Sequence, residues 1–522
     1  MSSSNLFARN DRSLRADVAF LLCLLVPAFL LLLGLRPLSV PDEGRYPEIA
    51  REMMLSGDYI TPKINGIVFL DKPALYYWLQ TVSFHIFGVH SWSVRLMPAL
   101  FGVLGVVVVF VTSAKLFSRR AGWWSAIILA TSPLYFLSSQ YADMNIEIAV
   151  LVTTALCFFL LGNSAGIGSK ERRNLFLAAW LAMGLGIMTK GLIGIVFPAM
   201  IIGAWVCVGW RWRQLRHFHF LKGILIIGII CLPWFLAVQN RNPQFFHFFF
   251  IYQQFDRFTG SGFNNVFPVW FYVPVIAVGF LPWSVWLPSA LREQWQRARN
   301  KISDENADAY QLLLLWPLLI LIFFSIPTSK VVGYILPTLP PLAMLMGDFL
   351  ARRFEENKHG TEIKSIWVLR SIRYFPWVGG FVILAAIITV SIVDHSGIRP
   401  LANMLQKEIT SNDVIVSYRT YYQDLPMYLL SQKPMVIVDD WKNPAILQED
   451  NWRREFYLGL QNQPEANNWL IEEAEFAHLL STQNRVFVMA RMRDEKHLAE
   501  QYGLKVIRRD KKNVLMATAS IH

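Results

Sequence analysis

Long apolar segments alternate with short polar ones over the first 393 residues. Segments able to cross roughly 30 Å of hydrocarbon occur at 16–35, 94–116, 121–140, 145–162, 174–188, 191–209, 221–238, 267–288, 310–326, 334–350 and 374–393. They predict about 11 transmembrane helices, and the apolar part of 74–90 would raise the number to about 13 with short or re-entrant helices. We therefore expect a polytopic α-helical membrane protein.

The short polar connections alternate in basic content. Five of them are basic, and all five fall on the side of the N-terminal tail: Lys115, Arg119 and Arg120; Lys170, Arg172 and Arg173; Arg211, Arg213 and Arg216; Arg292, Arg297, Arg299 and Lys301; Arg352, Arg353 and Lys358. Lys and Arg accumulate in cytoplasmic loops. The N-terminus is therefore predicted to be cytoplasmic and the C-terminal segment to lie outside.

The pattern changes from residue 394 onward to short apolar runs bounded by polar residues. The apolar runs are 413–417, 434–438 and 485–489, and the helix-like stretches are 469–480 and 495–502. Strands that alternate with helices indicate an α/β domain. We therefore expect a transmembrane domain over 1–393 and a small outer α/β domain over 394–522.

Composition agrees with a membrane protein. The 522 residues are 54% hydrophobic and 16% charged, whereas a soluble domain carries about 25% charged residues. The net charge of +12 is explained by basic cytoplasmic loops, so nucleic acid is not expected as a partner.

The first outward segment, 36–93, concentrates charged residues at the membrane boundary. It opens with Pro41-Asp-Glu-Gly-Arg-Tyr46 and reaches Asp71-Lys72-Pro73. Apolar residues at helical spacing over 47–55 predict a helix along the interface. Two interpretations stay open: an anchor helix with ordinary salt bridges, or an active-site-like group around Asp42.

Four later outward segments add further ionisable and aromatic side chains. They supply Asp143, Lys190, Arg257, and the pair Lys330 and Tyr334. A charge beside hydrocarbon is costly and usually has a partner. Asp143 and Lys190 are therefore either a structural pair or part of a site in which Lys190 meets an anionic ligand.

Carboxylates and cations beside hydrocarbon suit a lipid that carries a phosphate. Its tail would lie in the membrane, its phosphate would pair with Lys or Arg, and its reacting group would face an acid.

The first outer loop also carries a family resemblance. The stretch 41–53, followed by Ser56-Gly-Asp-Tyr59 and Asp71-Lys-Pro73, resembles that of bacterial aminoarabinose transferases. These are lipid A-modifying GT-C glycosyltransferases related to protein O-mannosyltransferases. The resemblance implies a GT-C fold with amphipathic periplasmic loop helices, a polyprenyl (undecaprenyl) phosphate sugar donor, and action on the periplasmic face of the bacterial inner membrane.

Roles follow from the positions that match this family. The resemblance implies that Asp42 and Asp143 are catalytic, and that Arg45, Lys72, Lys190, Arg257 and Tyr334 bind the donor or its phosphate. We expect Glu43, Tyr46, Asp71 and Lys330 to line the substrate cavity.

The sequence departs from the family pattern at a metal-binding position. Related transferases show Glu-His where this chain has Gln253-Gln254, and Asp71 stands where a glutamate is usual. Amide oxygens are poor zinc ligands. We therefore carry over no metal site and assign no cofactor. A divalent metal stays open as an alternative, although Gln254 occupies the position of the family's histidine. The departure also points to a different sugar or acceptor.

Three classes of function stay open. The favoured one is transfer of a sugar from a polyprenyl phosphate to lipid A or a related glycolipid, by a monomer surrounded by membrane lipids. The alternatives are transfer to protein or glycan hydroxyls, and transport or flipping of a polyprenyl lipid. The pattern lacks the paired interrupted helices typical of transporters.

Overall fold

The computed structural model describes residues 11–166, 168–256, 265–299, 306–358, 373–393, 398–410, 412–448, 451–483 and 485–518. By its internal contacts the chain divides into two compact units. Unit 1 comprises Met1–Leu33, Lys72–Tyr76 and Arg95–Ile388, and unit 2 comprises Gly34–Asp71, Tyr77–Val94 and Thr389–His522. The division expected at residue 393 stays a prediction.

Up to residue 393 the described chain is mainly helical. The α-helices are α1 (Asp11–Leu30), α2 (Asp42–Ser56), α3 (Leu75–Phe87), α4 (Ser91–Val94), α5 (Leu96–Leu116), α6 (Arg119–Ala130), α7 (Pro133–Ser139), α8 (Asn145–Ser164), α9 (Lys170–Lys190), α10 (Ile193–Gly209), α11 (Trp212–Leu215), α12 (Phe220–Arg241), α13 (Tyr272–Gly279), α14 (Leu287–Arg299), α15 (Ala307–Ser325), α16 (Leu339–Lys358) and α17 (Phe375–Val393). A π-helix covers His247–Asp256, and 3₁₀ helices cover Val269–Phe271, Trp283–Val285 and Val332–Thr338.

Six helical segments in the described ranges are long and apolar enough to cross a membrane. They are Ser13–Leu30, Leu96–Leu116, Asn145–Ser164, Phe220–Arg241, Ala307–Ser325 and Val332–Glu356. Shorter apolar helices occur at Ile193–Gly209, Val269–Gly279 and Phe375–Ser391. Large apolar side chains are exposed on some of them, as at Leu221 (84%) and Phe381 (72%), which is typical of helices in contact with lipid. The chain is a polytopic membrane protein, as predicted.

Some predicted spans are interrupted. The apolar run 121–140 is divided into α6 and α7, because Pro133 begins the second helix. The run 267–288 consists of α13 between two 3₁₀ helices. Proline lacks the amide hydrogen that a continuous helix needs, and hydropathy alone does not register such breaks.

Basic loops of unit 1 contact acids from neighbouring elements. Arg119 binds Asp17 of α1, with 2.6 Å between Nη2 and Oδ1. Arg353 of α16 binds Glu293 of α14, with 2.8 Å between Nη2 and Oε2. Another pair joins Arg120 to Glu355. These ion pairs agree with the predicted placement of the loops on one side.

In unit 2, the C-terminal part folds around a six-stranded sheet. The strands are β3 (Val414–Tyr418), β4 (Val436–Val438), β5 (Leu470–Ile471), β6 (Val486–Arg491), β7 (Lys505–Arg509) and β8 (Asn513–Ala517), in the order β5-β4-β3-β6-β8-β7. β5, β4, β3 and β6 run parallel, and β8 and β7 continue the sheet antiparallel. The helices are α18 (Arg399–Glu408), α19 (Leu425–Leu429), α20 (Trp452–Asn462), α21 (Glu473–Thr482) and α22 (Glu495–Tyr502), with 3₁₀ helices at Pro444–Gln448, Pro464–Asn468 and Met492–Asp494.

The predicted α/β character of this part is confirmed, with two differences. The stretch 469–480 is not one helix, because Leu470–Ile471 pairs with β4 before α21 begins. The antiparallel strands β7 and β8 were not predicted. The segment 36–93 contributes α2 and a short hairpin of β1 (Lys63–Ile64) and β2 (Ile67–Val68), so the predicted loop helix is confirmed and extends from Asp42 to Ser56.

Candidate functional site

Lys190 is the last residue of α9 in unit 1. Gly191 follows with a φ of +79°, a conformation that glycine adopts without strain and that ends the helix. Gly194 lies so close to α9 that an added Cβ would be 2.3 Å from the Gly186 carbonyl carbon. These glycines allow α9 and α10 to approach closely and hold Lys190 at a tight turn.

Asn145 joins the two residues that the sequence predicted as a pair. Asp143 Oδ1 accepts the Asn145 backbone N–H at 2.7 Å, and Oδ2 accepts the Asn145 side-chain amide. The Lys190 ammonium donates to Asn145 Oδ1 and lies 4.8 Å from the centre of the Tyr334 ring, a cation–π distance. We call Asp143, Asn145, Lys190 and Tyr334 the Lys190 cluster.

Glu147 is a buried acid beside this cluster that sequence reasoning missed. Its side chain is fully buried, and within the described ranges neither carboxylate oxygen has hydrogen-bond geometry with another residue. Asp143 and Lys190 both act on it electrostatically. Burial of an unpaired polar group is costly. The available signal was an acid near the start of a predicted span.

Other predicted residues of unit 1 have different surroundings. Lys330 is buried, and its ammonium donates to the carbonyls of Phe267, at 3.0 Å, and Pro327. Lys72 is half-buried. Arg257 lies outside the described residues, as do the side chains of Gln253 and Gln254. The roles predicted for these residues stay predictions.

In unit 2, Glu43 is held at the beginning of α2. It is completely buried and accepts Arg36 Nη2 at 2.9 Å and the Ser39 N–H at 2.9 Å. Arg36 Nη1 donates to the same carboxylate. A buried, paired acid at a helix N-terminus stabilises the helix. Glu43 therefore fixes the chain next to Asp42.

Arg45 connects Asp42 to the C-terminal part of unit 2. Its Nη2 lies 3.0 Å from Asp42 Oδ1, and its Nη1 lies 2.8 Å from Glu455 Oε1 in α20. The guanidinium also lies 5.2 Å from the centre of the Tyr46 ring. Asp42 is half-buried, so its second oxygen is available near a positioned cation. We call Asp42, Arg45 and Glu455 the Asp42 cluster.

Further charges of α2 attach it to the rest of unit 2. Glu48 accepts Arg51 Nε at 2.7 Å and Nη2 at 2.6 Å, and Arg51 also donates to the Ser431 carbonyl. Glu52 accepts the Gly66 N–H at 3.0 Å. Burial, with the nearby Glu48 carboxylate, raises the pKa of Glu52 to about 8. The helix is thus packed within protein, and these charges match the salt-bridge interpretation.

The two clusters offer complementary chemistry. The Lys190 cluster presents an ammonium held by an amide and an aromatic ring, which suits an anionic oxygen. The Asp42 cluster presents a carboxylate, which suits a proton or developing positive charge.

Asp71 is buried in unit 2. Across the described residues, no group of three or more His, Cys, Asp or Glu side chains has an arrangement suited to a metal ion.

Comparison with known proteins shows which proteins this chain resembles. A family model described as dolichyl-phosphate-mannose-protein mannosyltransferase matches residues 13–249. The undecaprenyl phosphate-alpha-4-amino-4-deoxy-L-arabinose arabinosyl transferase of Edwardsiella ictaluri is 34% identical over 350 residues, which cover 67% of this chain and 61% of that protein. Its Aeromonas hydrophila counterpart is 32% identical over 370 residues, or 70% of this chain and 64% of that protein. The chain thus spans less than two thirds of the length of these relatives.

The fold similarity extends further along the chain. The crystal structure of ArnT from Cupriavidus metallidurans bound to undecaprenyl phosphate has a TM-score of 0.83 and 24% identity, covering 97% of this chain and 98% of that one. The protein therefore has the GT-C fold. Over the matched residues it is similar to the aminoarabinose transferases and to the mannosyltransferase family model, which confirms the resemblance predicted from the first outer loop.

Proposed function

We propose that the protein is a glycosyltransferase that moves a sugar from undecaprenyl phosphate to lipid A or a related cell-envelope glycolipid. The observation that carries the proposal is its sequence similarity to transferases named for an undecaprenyl phosphate-linked aminoarabinose. The proposal includes action by a monomer at the periplasmic face of the bacterial inner membrane, with the N-terminus cytoplasmic and the C-terminal domain periplasmic.

The proposed reaction is displacement at the anomeric carbon of the donor sugar. The acceptor oxygen forms a bond to that carbon, and the bond to the phosphate oxygen breaks with its electron pair leaving on the phosphate. Lys190, with Lys72 and Arg257, is assigned to the growing negative charge, because positioned cations stabilise a charge that develops in the transition state. The contact between Lys190 and Asn145 supports this role by holding the ammonium in place.

The role of Asp42 depends on the acceptor. A lipid A phosphate is already ionised and needs no deprotonation, so Asp42 would orient it or balance positive charge on the sugar. A hydroxyl acceptor must lose its proton, and Asp42 would then be a general base. Its contact with Arg45 supports either role by fixing one oxygen and leaving the other for substrate.

The test uses the purified full chain in lipid vesicles with an undecaprenyl phosphate sugar and lipid A. Mass spectrometry of lipid A is expected to show the mass of one added sugar. Asp42→Asn is expected to abolish transfer with normal expression, while Glu500→Gln, an exposed acid on α22, keeps it. Near-normal transfer by Asp42→Asn would overturn the assignment of Asp42, and unmodified lipid A with the wild type would overturn the acceptor.

Transfer to a protein hydroxyl is a second candidate, favoured by the match of residues 13–249 to the mannosyltransferase family model. The same vesicles supplied with Ser- and Thr-containing peptides distinguish the two. Glycosylated peptide together with unmodified lipid A would select this alternative.

A further inference from the structure

A cavity opens in the C-terminal part of unit 2, at the carboxyl ends of the parallel strands. Its volume is about 390 Å³, and it is lined by residues that follow β3, β4 and β6 and by the beginning of α20. Open α/β sheets bind ligands in the crevice outside the carboxyl ends of their strands. The position of the cavity is therefore the one at which such a sheet binds a ligand.

Arginines dominate the charge of this cavity. Its lining includes Arg419, Arg453, Arg491 and Arg493, and among the described residues that line it the acidic side chain is Asp439. Arginine presents a planar fork of donors that matches phosphate and carboxylate oxygens. The cavity therefore favours an anion.

Carboxylates nearby hold part of this set without cancelling it. Arg453 Nη2 lies 2.7 Å from Asp439 Oδ1, and Arg419 Nη2 lies 2.6 Å from Glu473 Oε1. Arg493 Nε lies further from its carboxylate partner, at 3.6 Å from Asp494 Oδ2. Arg491, at the end of β6, is exposed. Each guanidinium has five N–H groups, so contact with one carboxylate leaves Arg419 and Arg493 with further donors for a ligand.

Backbone geometry also positions the side chains that line the cavity. Arg419 follows β3 with a φ of +49°, a conformation rare for residues other than glycine. Its N–H donates to the Val438 carbonyl at 2.8 Å, which fixes the loop. The N-terminus of α20 adds the positive end of a helix dipole, and Trp452 in its first turn lines the same cavity.

We propose that this cavity binds a phosphorylated saccharide, with the arginines on the phosphate and Trp452 against the sugar ring. The phosphate class follows from the fork geometry of the arginines, and the saccharide from an aromatic wall beside them. The site lies entirely within unit 2 and uses no residue of the Lys190 or Asp42 clusters. Its binding can therefore be measured separately from the proposed transfer reaction.

Calorimetry on the full chain in detergent micelles tests this site with glucose 6-phosphate as the probe. The wild type is expected to bind it in a salt-sensitive manner, at least tenfold more tightly than glucose or inorganic phosphate. The double variant Arg491→Gln with Arg493→Gln is expected to raise the Kd at least tenfold. Arg508→Gln, an exposed change on β7 that removes a positive charge outside the cavity, is expected to leave the Kd unchanged.

Several outcomes would overturn the proposal. They are binding of glucose as tight as that of glucose 6-phosphate, an unchanged Kd in the double variant, or equal weakening by Arg508→Gln. A thermal melt equal to that of the wild type shows that the double variant is folded. Lys190→Gln is expected to keep full binding, so failure here is distinguishable from failure of the transfer reaction.

The source of the phosphate is resolved in the same micelles. Displacement of glucose 6-phosphate by added lipid A assigns the site to a lipid headgroup. Binding that lipid A leaves unchanged assigns it to a soluble sugar phosphate.

Discussion

The Lys190 cluster and the Asp42 cluster position their charges in different ways. Lys190 stands at the end of an apolar helix, where one amide oxygen and one aromatic ring hold its ammonium. Arg45 lies between two carboxylates, one of them supplied by α20, 410 residues further along the chain. The first arrangement relies on backbone geometry around a single cation, and the second on a network of paired charges.

The two arrangements of charge should contribute differently to catalysis and to the stability of the fold. The Lys190 ammonium donates to a neutral amide oxygen and faces an aromatic ring, so a neutral polar residue in its place should cost the fold little. Paired charges that join α2 to the C-terminal part of unit 2 hold the fold together, because removal of one partner leaves the other buried and uncompensated. Changes in the Lys190 cluster should therefore affect transfer, and changes at the buried contacts of α2 beyond the Asp42 cluster should affect stability.

Outside the Asp42 cluster, the largest effect is expected from Lys190→Gln. Loss of a cation from the departing phosphate should lower kcat/KM by roughly 100-fold or more, with an unchanged melting temperature. Lys496→Gln, an exposed change on α22, is the matched control. A steady-state transfer assay checks this, and a decrease below threefold would contradict the role of Lys190.

Gly44→Ala is expected to lower stability by disturbing the packing of α2 within unit 2. A Cβ at Gly44 would lie 2.7 Å from the Gln423 carbonyl carbon, so α2 would have to move away from the chain that precedes α19. The expected cost is about 2 kcal/mol, visible as a lower melting temperature in detergent. Gly203→Ala, where a Cβ meets nothing within 4 Å, should show no loss; equal melting of both variants would refute the packing argument.

Glu455→Gln should lower transfer by roughly tenfold, or about 1.4 kcal/mol, because Arg45 loses a charged partner and holds Asp42 less firmly. A positioning role predicts a decrease in kcat with little change in KM, and partial recovery in Glu455→Asp. Glu465→Gln, an exposed acid in the same part of unit 2, is the control. A change in melting temperature alone would indicate a purely structural role.

The last prediction concerns Glu52 and the pH dependence of stability. A carboxyl group whose pKa is about 8 in the folded state, against an ordinary 4.5, contributes its full stability below pH 4.5 and loses it as the pH rises towards 8. The melting temperature should therefore decrease by about 3 °C between pH 5 and pH 8. Glu52→Gln should flatten this dependence, and parallel curves for variant and wild type would exclude Glu52 as its source.

Much of this organisation could be predicted from local patterns. Apolar runs indicated the membrane spans, and Pro41-Asp-Glu-Gly-Arg-Tyr46 indicated the family. Short apolar runs indicated β3, β4 and β6. These features depend on neighbours in sequence, since hydrophobic period and turn residues report the environment of each segment directly.

Partners distant along the chain could not be predicted in this way. No sequence motif singles out Asn145, although it joins Asp143 to Lys190. Glu147 lies within an apolar run of the sequence, and Glu455 lies in a segment without a motif. Each acquires its role only because packed elements bring it beside a charge.

The sequence by itself determined that this chain crosses a membrane, which loops are basic, and that its first outer loop carries the acids and bases of an aminoarabinose transferase-like protein. Tertiary structure decided which of those charges are paired, that α2 is packed within unit 2, and that four arginines surround one cavity. The physical reason is that hydropathy is a property of each segment alone. Pairing and burial of charges depend on which surfaces meet when distant segments pack together.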